Sequence, residues 1–230
     1  MSLSRVALVV IQAFCNGLAC TPPNPTQQKQ RYHTEEMYIL QIAPLIFKCH
    51  QFICWFCAVF EVLHYFAQVL QVPSFGASSS LVCLPSQSNV RLTPMFVIGA
   101  LAVVLGCYIR LDCFKTLGAM FTFDLTVHPE HRLVTSRFYS YVRHPAYTGS
   151  LLLVFGLACS HLTRGSWMTE CGPLRNRVAA IFVWAFWWLW TFCVGISRAD
   201  AEDKQMQKLF REEWDAYAAI VPWWFFPGLI

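Results

Sequence analysis

The chain is poor in charged residues, and this scarcity excludes most soluble folds. Asp, Glu, Lys and Arg make up 13% of its 230 residues, whereas hydrophobic residues make up 56%. An average soluble domain carries roughly 25% charged residues. Several apolar stretches approach the ~20 residues that a helix needs to cross a bilayer. The composition is that of a membrane protein in contact with a lipid bilayer, and it favours one polytopic unit over two soluble domains.

The chain also lacks a linker, an internal repeat and a concentrated basic patch. Its formal net charge is only +4 at pH 7, and its basic residues are scattered. Proteins that bind nucleic acid concentrate Lys and Arg on one face or along one stripe. We therefore expect no nucleic acid among the partners of this protein.

Cysteine is plentiful, with 11 residues, but its distribution does not indicate a disulfide framework or a metal site. Cys54 and Cys57 form a C-x-x-C motif, yet no second pair at zinc-site spacing follows it. We expect no metal site. Most cysteines lie inside apolar windows, where packed thiols are expected: Cys49, Cys54, Cys57, Cys107, Cys113, Cys159 and Cys193.

The apolar segments predict an all-α polytopic membrane protein with about five transmembrane helices. Residues 1–20 read either as a retained helix, which we favour, or as a secretory signal peptide. The run over residues 39–70 exceeds one vertical crossing, so part of it is kinked at Pro44 or lies along the interface. Residues 21–30 and 73–91 are predicted loops. The remaining predicted helices cover residues 93–109, 145–161 and 178–196, followed by a polar helix over 197–210.

Two further patterns concern side chains in or near these helices. Glu61 and His64 are three residues apart on one helix face, so we expect them to pair with each other. Trp214 and Tyr217 belong to an aromatic tail suited to a membrane interface.

The distribution of Lys and Arg predicts the orientation in the membrane. The side that holds residues 21–41, 110–147 and 197–230 carries 11 Lys and Arg, against 5 on the opposite side. This bias places the first side in the cytosol.

Two polar clusters border apolar helices on the same predicted side. The first contains Arg143, His144 and Tyr147, beside Pro145, a favourable first residue of a helix. The second, after the fifth helix, contains Arg198, Asp200, Glu202 and Asp203. A helical hairpin brings both clusters together, and the resulting pocket suits a polar cofactor that meets a lipid-tailed substrate. At this point an alternative stays open, in which these residues are interfacial anchors that pair with each other.

Short motifs that follow each other along the chain resemble the isoprenylcysteine carboxyl methyltransferase family. They lie at residues 123–127, 131–135, 141–149, 198–203 and 210–217, followed by Val221, Pro222 and Pro227. The likeness covers residues 93–230, which we interpret as a methyltransferase core with the cofactor site. Residues 1–92 match only as additional membrane helices with their connecting loops.

The resemblance implies an integral membrane enzyme of the endoplasmic reticulum. The bias in Lys and Arg places its C-terminal cofactor pocket on the cytosolic side. The resemblance also implies methyl transfer from S-adenosyl-L-methionine to the C-terminal carboxylate of a prenylated cysteine in CaaX-type proteins. The implied catalytic residues are Arg198, Glu202 and Asp203. The implied cofactor-binding residues are Arg143, His144, Pro145, Tyr147, Glu202, Glu213 and Tyr217.

One segment departs from the family pattern. Residues 136–139 stand where many relatives have a Gly-Pro turn, so we expect this loop to be less tightly turned.

Three alternative functions stay open. One is a phospholipid N-methyltransferase of the phosphatidylethanolamine type, whose cofactor site also combines an arginine with a pair of acidic residues. A sterol reductase-like protein, which uses a reduced nicotinamide, and a non-catalytic membrane homologue are the others.

Overall fold

The computed structural model of the protein describes residues 1–26, 28–32, 43–70 and 89–229. Within these residues the fold is helical, with one isolated antiparallel bridge between Arg31 and Thr126. Most of the predicted loop over 73–91 and the start of the second apolar run lie outside the described residues. The main helices are α1 (Leu3–Ala19), α2 (Ala43–Val69), α3 (Pro94–Leu117), α4 (Pro145–His161), α5 (Arg177–Phe210) and α6 (Glu212–Ile220).

Within the described residues, three helices are long and apolar enough to cross a membrane, which confirms a multi-pass membrane protein. Helices α1 and α4, of 17 residues each, are shorter. Most of α4 is buried among the other helices, so packing replaces much of its lipid contact. The prediction of about five crossings therefore stays a prediction. The three candidate spans are Phe47–Val69, Pro94–Met120 and Arg177–Phe210.

Helix α4 begins at Pro145 and ends at His161, as predicted. Two other boundaries differ from prediction. Helix α3 continues beyond residue 109 to Leu117, because Arg110 hydrogen-bonds inside the protein and does not interrupt the helix. The predicted fifth helix and the polar helix after it form one continuous helix of 34 residues, α5, which carries its polar end directly out of the apolar part.

Helices α3 and α4 pack antiparallel through closely approaching glycines. A Cβ atom on Gly106 would lie 2.6 Å from the carbonyl oxygen of Gly149, and one on Gly156 would lie 2.5 Å from that of Gly99. Real Cβ atoms do not approach backbone this closely, so only glycine permits this helix separation. Small residues at such crossings are typical of membrane helices, where close packing drives association. This contact fixes where α4 presents its first turn.

We expect Gly106→Ala to destabilise the protein by about 1–3 kcal/mol, because the added methyl forces α3 and α4 apart. Thermal unfolding in detergent measures the effect. Gly195→Ala is the matched control, since a Cβ there would meet only the ring of Phe225, at 3.6 Å. Equal stability losses in the two variants would contradict this account of the α3–α4 crossing.

A buried ion pair joins α1 to α2. The Nε and Nη2 atoms of Arg5 each donate to the carboxylate of Glu61 at 2.8 Å, and both side chains are almost fully buried. Arg5 Nη1 also donates to the carbonyl of Arg91 at 2.7 Å. The ion-pair partner of Glu61 is therefore Arg5. The spacing within α2 had predicted His64 as its partner, and that prediction was wrong. The pair ties α1 into the helix bundle.

The seven cysteines predicted to be packed thiols are all free. Five of them are buried, which confirms the prediction for those five, whereas Cys49 and Cys193 are exposed, so the prediction was wrong for these two. Cys171, which follows the one-turn helix Trp167–Glu170 between α4 and α5, is disulfide-bonded. No feature of the sequence had indicated that bond.

Candidate active site

The site forms where the N-terminal end of α4 meets the C-terminal segment of the chain. The backbone amides of Arg143 and His144 donate to the carbonyls of Trp223 and Trp224, both at 2.9 Å. Thr148, one turn into α4, donates through Oγ1 to the carbonyl of Phe225 at 2.6 Å. These bonds hold the C-terminal segment across the mouth of α4. The fold thereby fixes the first predicted cluster from both sides.

His144 connects the two predicted clusters. Its Nε2 lies 2.7 Å from Oδ1 of Asp203, and its Nδ1 lies 3.2 Å from Oε2 of Glu202. Asp203 also accepts from the indole Nε1 of Trp224 at 2.8 Å and pairs with Arg143 at 3.1 Å. Burial opposes a charge on His144, but hydrogen bonds to Asp203 and Glu202 outweigh it and raise the pKa of His144 to about 9. At neutral pH the imidazolium therefore bridges the two carboxylates.

Because the folded pKa lies above the ordinary value of about 6.5, protonated His144 stabilises the fold fully only below pH ~6.5. This contribution is lost as the pH rises through about 9. We expect the difference in melting temperature between the wild type and His144→Asn to be largest near pH 6 and to shrink steadily up to pH ~9.5. A difference that stays constant over this range would contradict the bridging role of the imidazolium.

Tyr147 continues the network toward α5. Its hydroxyl donates to Oε1 of Glu202, and Nε of Arg198 donates to the same hydroxyl at 3.2 Å. Arg198 also donates through Nη2 to the carbonyl of Phe123, which belongs to the segment between α3 and α4. Hydrogen bonds thus run without a break from Arg198 through Tyr147, Glu202 and His144 to Asp203. The open alternative, in which the clusters only pair with each other, accounts for this network but not for the cavity beside it.

A cavity adjoins this network and contains about 1520 Å³ of space that no protein atom fills, part of it open to the surroundings. One end is polar and aromatic, with Arg143, His144, Tyr147, Glu202 and Arg198 on its walls. The other end is apolar and extends between the helices; its walls include Phe47, Leu151, Val154, Trp187 and Trp190. The cavity can therefore take a polar molecule and an apolar chain at the same time.

The predicted site residues divide into two groups. Arg143, His144, Tyr147, Glu202, Arg198 and Tyr217 line the cavity. The other group holds Pro145, Asp203 and Glu213, which are not among the lining residues. Pro145 starts α4, and Asp203 is engaged by its three partners. Glu213 is exposed in the first turn of α6, where an acidic residue favours the helix N-terminus.

The tail aromatics Trp214 and Tyr217 are buried and line the cavity, so they do not form part of an interfacial belt. The hydroxyl of Tyr217 donates to the carbonyl of Tyr139 at 2.7 Å. Burial raises the pKa of Tyr217 above its usual range, which keeps this hydroxyl a donor. The contact anchors α6 to the loop that precedes α4.

The loop over residues 136–139 is tightly turned, in contrast to our expectation. Residues Arg137–Ser140 form a 3₁₀ turn, and Arg137 has φ of 62°, in the left-handed region that favours glycine. The guanidinium of Arg137 forms an ion pair with Asp112 of α3. This pair supports a backbone conformation that glycine would adopt without strain, and Tyr139 reaches the cavity wall.

Several residues of the cavity wall were not among the predicted site residues. Arg110 is buried in α3, one residue beyond the predicted end of that helix. Phe123 and His131 also line the cavity; they lie in the family motifs at residues 123–127 and 131–135, but the sequence predicted no role for either residue. Tyr32 comes from the segment before α2. A charged residue within an apolar run was the available signal for Arg110.

Comparison with known proteins agrees with this geometry. Residues 97–208 match the isoprenylcysteine carboxyl methyltransferase family. This segment contains most of α3, all of α4 and most of α5, and therefore the Arg143 and Arg198 clusters. The resemblance predicted from the motifs is confirmed.

Curated relatives carry the corresponding name. The chain is 26% identical over 203 residues to protein-S-isoprenylcysteine O-methyltransferase B of Arabidopsis thaliana, which covers 83% of this chain and 85% of that protein. It is 29% identical over 136 residues to the Mus musculus protein-S-isoprenylcysteine O-methyltransferase, covering 57% of this chain and 41% of the mouse protein. A probable protein-S-isoprenylcysteine O-methyltransferase of Oryza sativa subsp. japonica is 27% identical, and 56% of its length is covered. No solved structure matches this chain.

Proposed function

We propose that this protein is an S-adenosyl-L-methionine-dependent methyltransferase that methylates the C-terminal carboxylate of a prenylated cysteine. One observation carries the proposal. The hydrogen-bonded network from Arg198 to Asp203 forms the wall of a cavity whose other end is apolar and lies between membrane helices. A charged carboxylate on a long hydrocarbon chain requires this combination of polar and apolar walls.

The residues present at the polar end fit S-adenosyl-L-methionine. Nε of Arg143 and Nδ1 of His131 are buried on the cavity wall, and neither has a hydrogen-bond partner in the described part of the chain. Burial lowers the pKa of His131, so its imidazole is neutral near pH 7. Unpartnered buried groups of this kind are unfavourable until a ligand pairs with them. The Arg143 group suits a carboxylate or a ring nitrogen of the cofactor.

The carboxylate of Glu202 and the aromatic rings complete this match. Glu202 lines the cavity and can accept from an ammonium group or ribose hydroxyls. The faces of Tyr147 and Trp214 suit a sulfonium or an adenine ring. When bound, the cofactor supplies an electrophilic methyl group on a positively charged sulfur.

The chain itself has to supply alignment and desolvation. The substrate carboxylate is already ionised at neutral pH and would accept the methyl group that the bound cofactor would supply. No proton moves, so no general base is needed. Arg198 orients the carboxylate through its planar guanidinium, and Tyr147 fixes the position of Arg198. Asp203 acts as a positioning residue, because it holds Arg143 and His144 in place.

We further propose that the protein has about five membrane crossings, resides in the endoplasmic reticulum and places this site in the cytosol. Cys171 lies between α4 and α5, at the end of α4 opposite His144, and its disulfide indicates an oxidising compartment on that side. The excess of Lys and Arg on the site's side supports the same orientation.

Two measurements on membranes containing the purified protein test the proposal. The protein should bind S-adenosyl-L-methionine in preference to NADPH, which excludes a reductase. It should transfer label from the methyl group to a farnesylated cysteine and not to phosphatidylethanolamine. Transfer to the lipid amine alone would instead support the N-methyltransferase alternative, and transfer to neither would contradict our proposal.

A further inference from the structure

A second arginine, Arg110, is buried on the wall of the same cavity. It belongs to α3 and is 4% exposed. Its guanidinium carbon lies 5.5, 5.3 and 5.2 Å from the ring centroids of Phe47, Phe114 and Phe123. These three rings surround the guanidinium group. They stabilise a cation only in part.

The hydrogen bonds of Arg110 use one side of its guanidinium group. Nε donates to the carbonyl of Ala19 at 2.8 Å, while Nη1 donates to the carbonyl of Ala146 at 3.1 Å and to Oγ of Ser150 at 2.6 Å. All three acceptors are neutral. Among the residues that the structure describes, Nη2 has no hydrogen-bond partner and no carboxylate lies within 4.0 Å of the group. A buried cation without a counter-anion is unfavourable, so an anionic ligand is favoured there.

Arg110 and Arg198 approach the same two segments of the chain. The ring of Phe123 contacts Arg110, and its carbonyl accepts from Arg198. In the first turn of α4, Ala146 accepts from Arg110 and the next residue, Tyr147, accepts from Arg198. The two guanidinium groups therefore flank one region of the cavity. The carboxylates of Glu202 and Asp203 lie in the network on the side of His144.

We propose that Arg110 binds the C-terminal carboxylate of the substrate through Nη2, opposite Arg198. This inference rests on the proposed function and adds a substrate-binding residue to it. The negative charge of the substrate is then bound from two sides, and the reacting oxygen is fixed in direction. A neutral analogue, such as a prenylcysteine carboxamide, leaves Arg110 without its anion. Arg110 therefore selects the free carboxylate over uncharged C-termini.

The test compares the affinities of farnesylcysteine and its carboxamide for the full chain in membranes. We expect the wild type to prefer the carboxylate, and we expect Arg110→Gln to reduce that preference by about 10-fold or more, the usual effect of losing a charge-assisted hydrogen bond. Binding of S-adenosyl-L-methionine, measured in the same preparations, should not change. Arg177→Gln removes an exposed cation at the opposite end of the bundle and should leave the preference unchanged.

A further variant separates charge from packing. Arg110→Lys keeps a cation with fewer donors and should show an intermediate preference. If Arg110→Gln does not fold, Arg110→Lys decides. If Arg110→Gln or Arg110→Lys keeps the wild-type preference for the carboxylate, the inference about Arg110 is overturned. The proposed function still stands in that case, provided that the wild type methylates farnesylcysteine. A wild type that does not methylate farnesylcysteine would refute both.

Discussion

Replacing Arg198 with Ala should lower methyl transfer to a prenylated cysteine by about 100- to 1000-fold or more. Arg198 lines the cavity, donates to Tyr147 at 3.2 Å and reaches the carbonyl of Phe123, so its position is fixed before any substrate binds. Its loss would remove the group that we propose orients the reacting carboxylate. Initial rates with a farnesylated cysteine measure the effect, and thermal unfolding shows whether the variant is folded.

Lys204→Ala is the matched control for this variant. Lys204 lies on the same helix, α5, and forms an exposed ion pair with Asp200 at 2.6 Å. Exposed pairs of this kind contribute about 0–1 kcal/mol to stability, and this one does not line the cavity. We expect a rate close to that of the wild type. Retained turnover in a folded Arg198→Ala protein would remove Arg198 from the proposed mechanism.

Replacing Glu61 with Gln should destabilise the protein by about 3–5 kcal/mol. The change leaves the guanidinium of Arg5 buried without its carboxylate, although the side-chain volume hardly changes. The same carboxylate also accepts from the backbone amide of Trp167 at 3.3 Å, an interaction that the remaining carbonyl oxygen of Gln can keep, so the expected loss comes from the Arg5 pair. Unfolding in one detergent, followed by the loss of helical circular dichroism, measures the effect.

A double variant distinguishes the loss of a partner from the value of the pair itself. Arg5→Met combined with Glu61→Leu replaces both charges by apolar groups of similar size. Such replacements are often neutral or stabilising, so we expect most of the lost stability to return. If Glu61→Gln loses less than about 1 kcal/mol of stability, the charge of Arg5 is stabilised by some group other than Glu61. That result would contradict the account of the α1–α2 contact.

Local sequence signals were sufficient for the part of the site on α4. Pro145 at the start of an apolar run marks the first residue of that helix, and the connection after His161 returns the chain as α5. The two charged clusters therefore had to lie at the same end of a hairpin. This explains why His144, Tyr147, Arg198 and Glu202 could be predicted to meet.

Contacts between distant parts of the chain could not be predicted in this way. Arg110 is held by the carbonyls of Ala19 and Ala146, and Arg5 pairs with Glu61, 56 positions away. Backbone carbonyls carry no signal in the amino-acid sequence. The tight turn at Arg137 was missed for a related reason, because its positive φ is supported by an ion pair with Asp112 in place of glycine.

The most direct test of the proposed activity uses two farnesylated peptides that differ only at the C-terminus. One ends in a free cysteine carboxylate and the other in the carboxamide, and each is incubated with the purified protein and methyl-labelled S-adenosyl-L-methionine. We predict label in the first peptide only, released by mild alkali as expected for a methyl ester. Equal labelling of both peptides, or label that resists alkali, would contradict carboxyl methylation at this site.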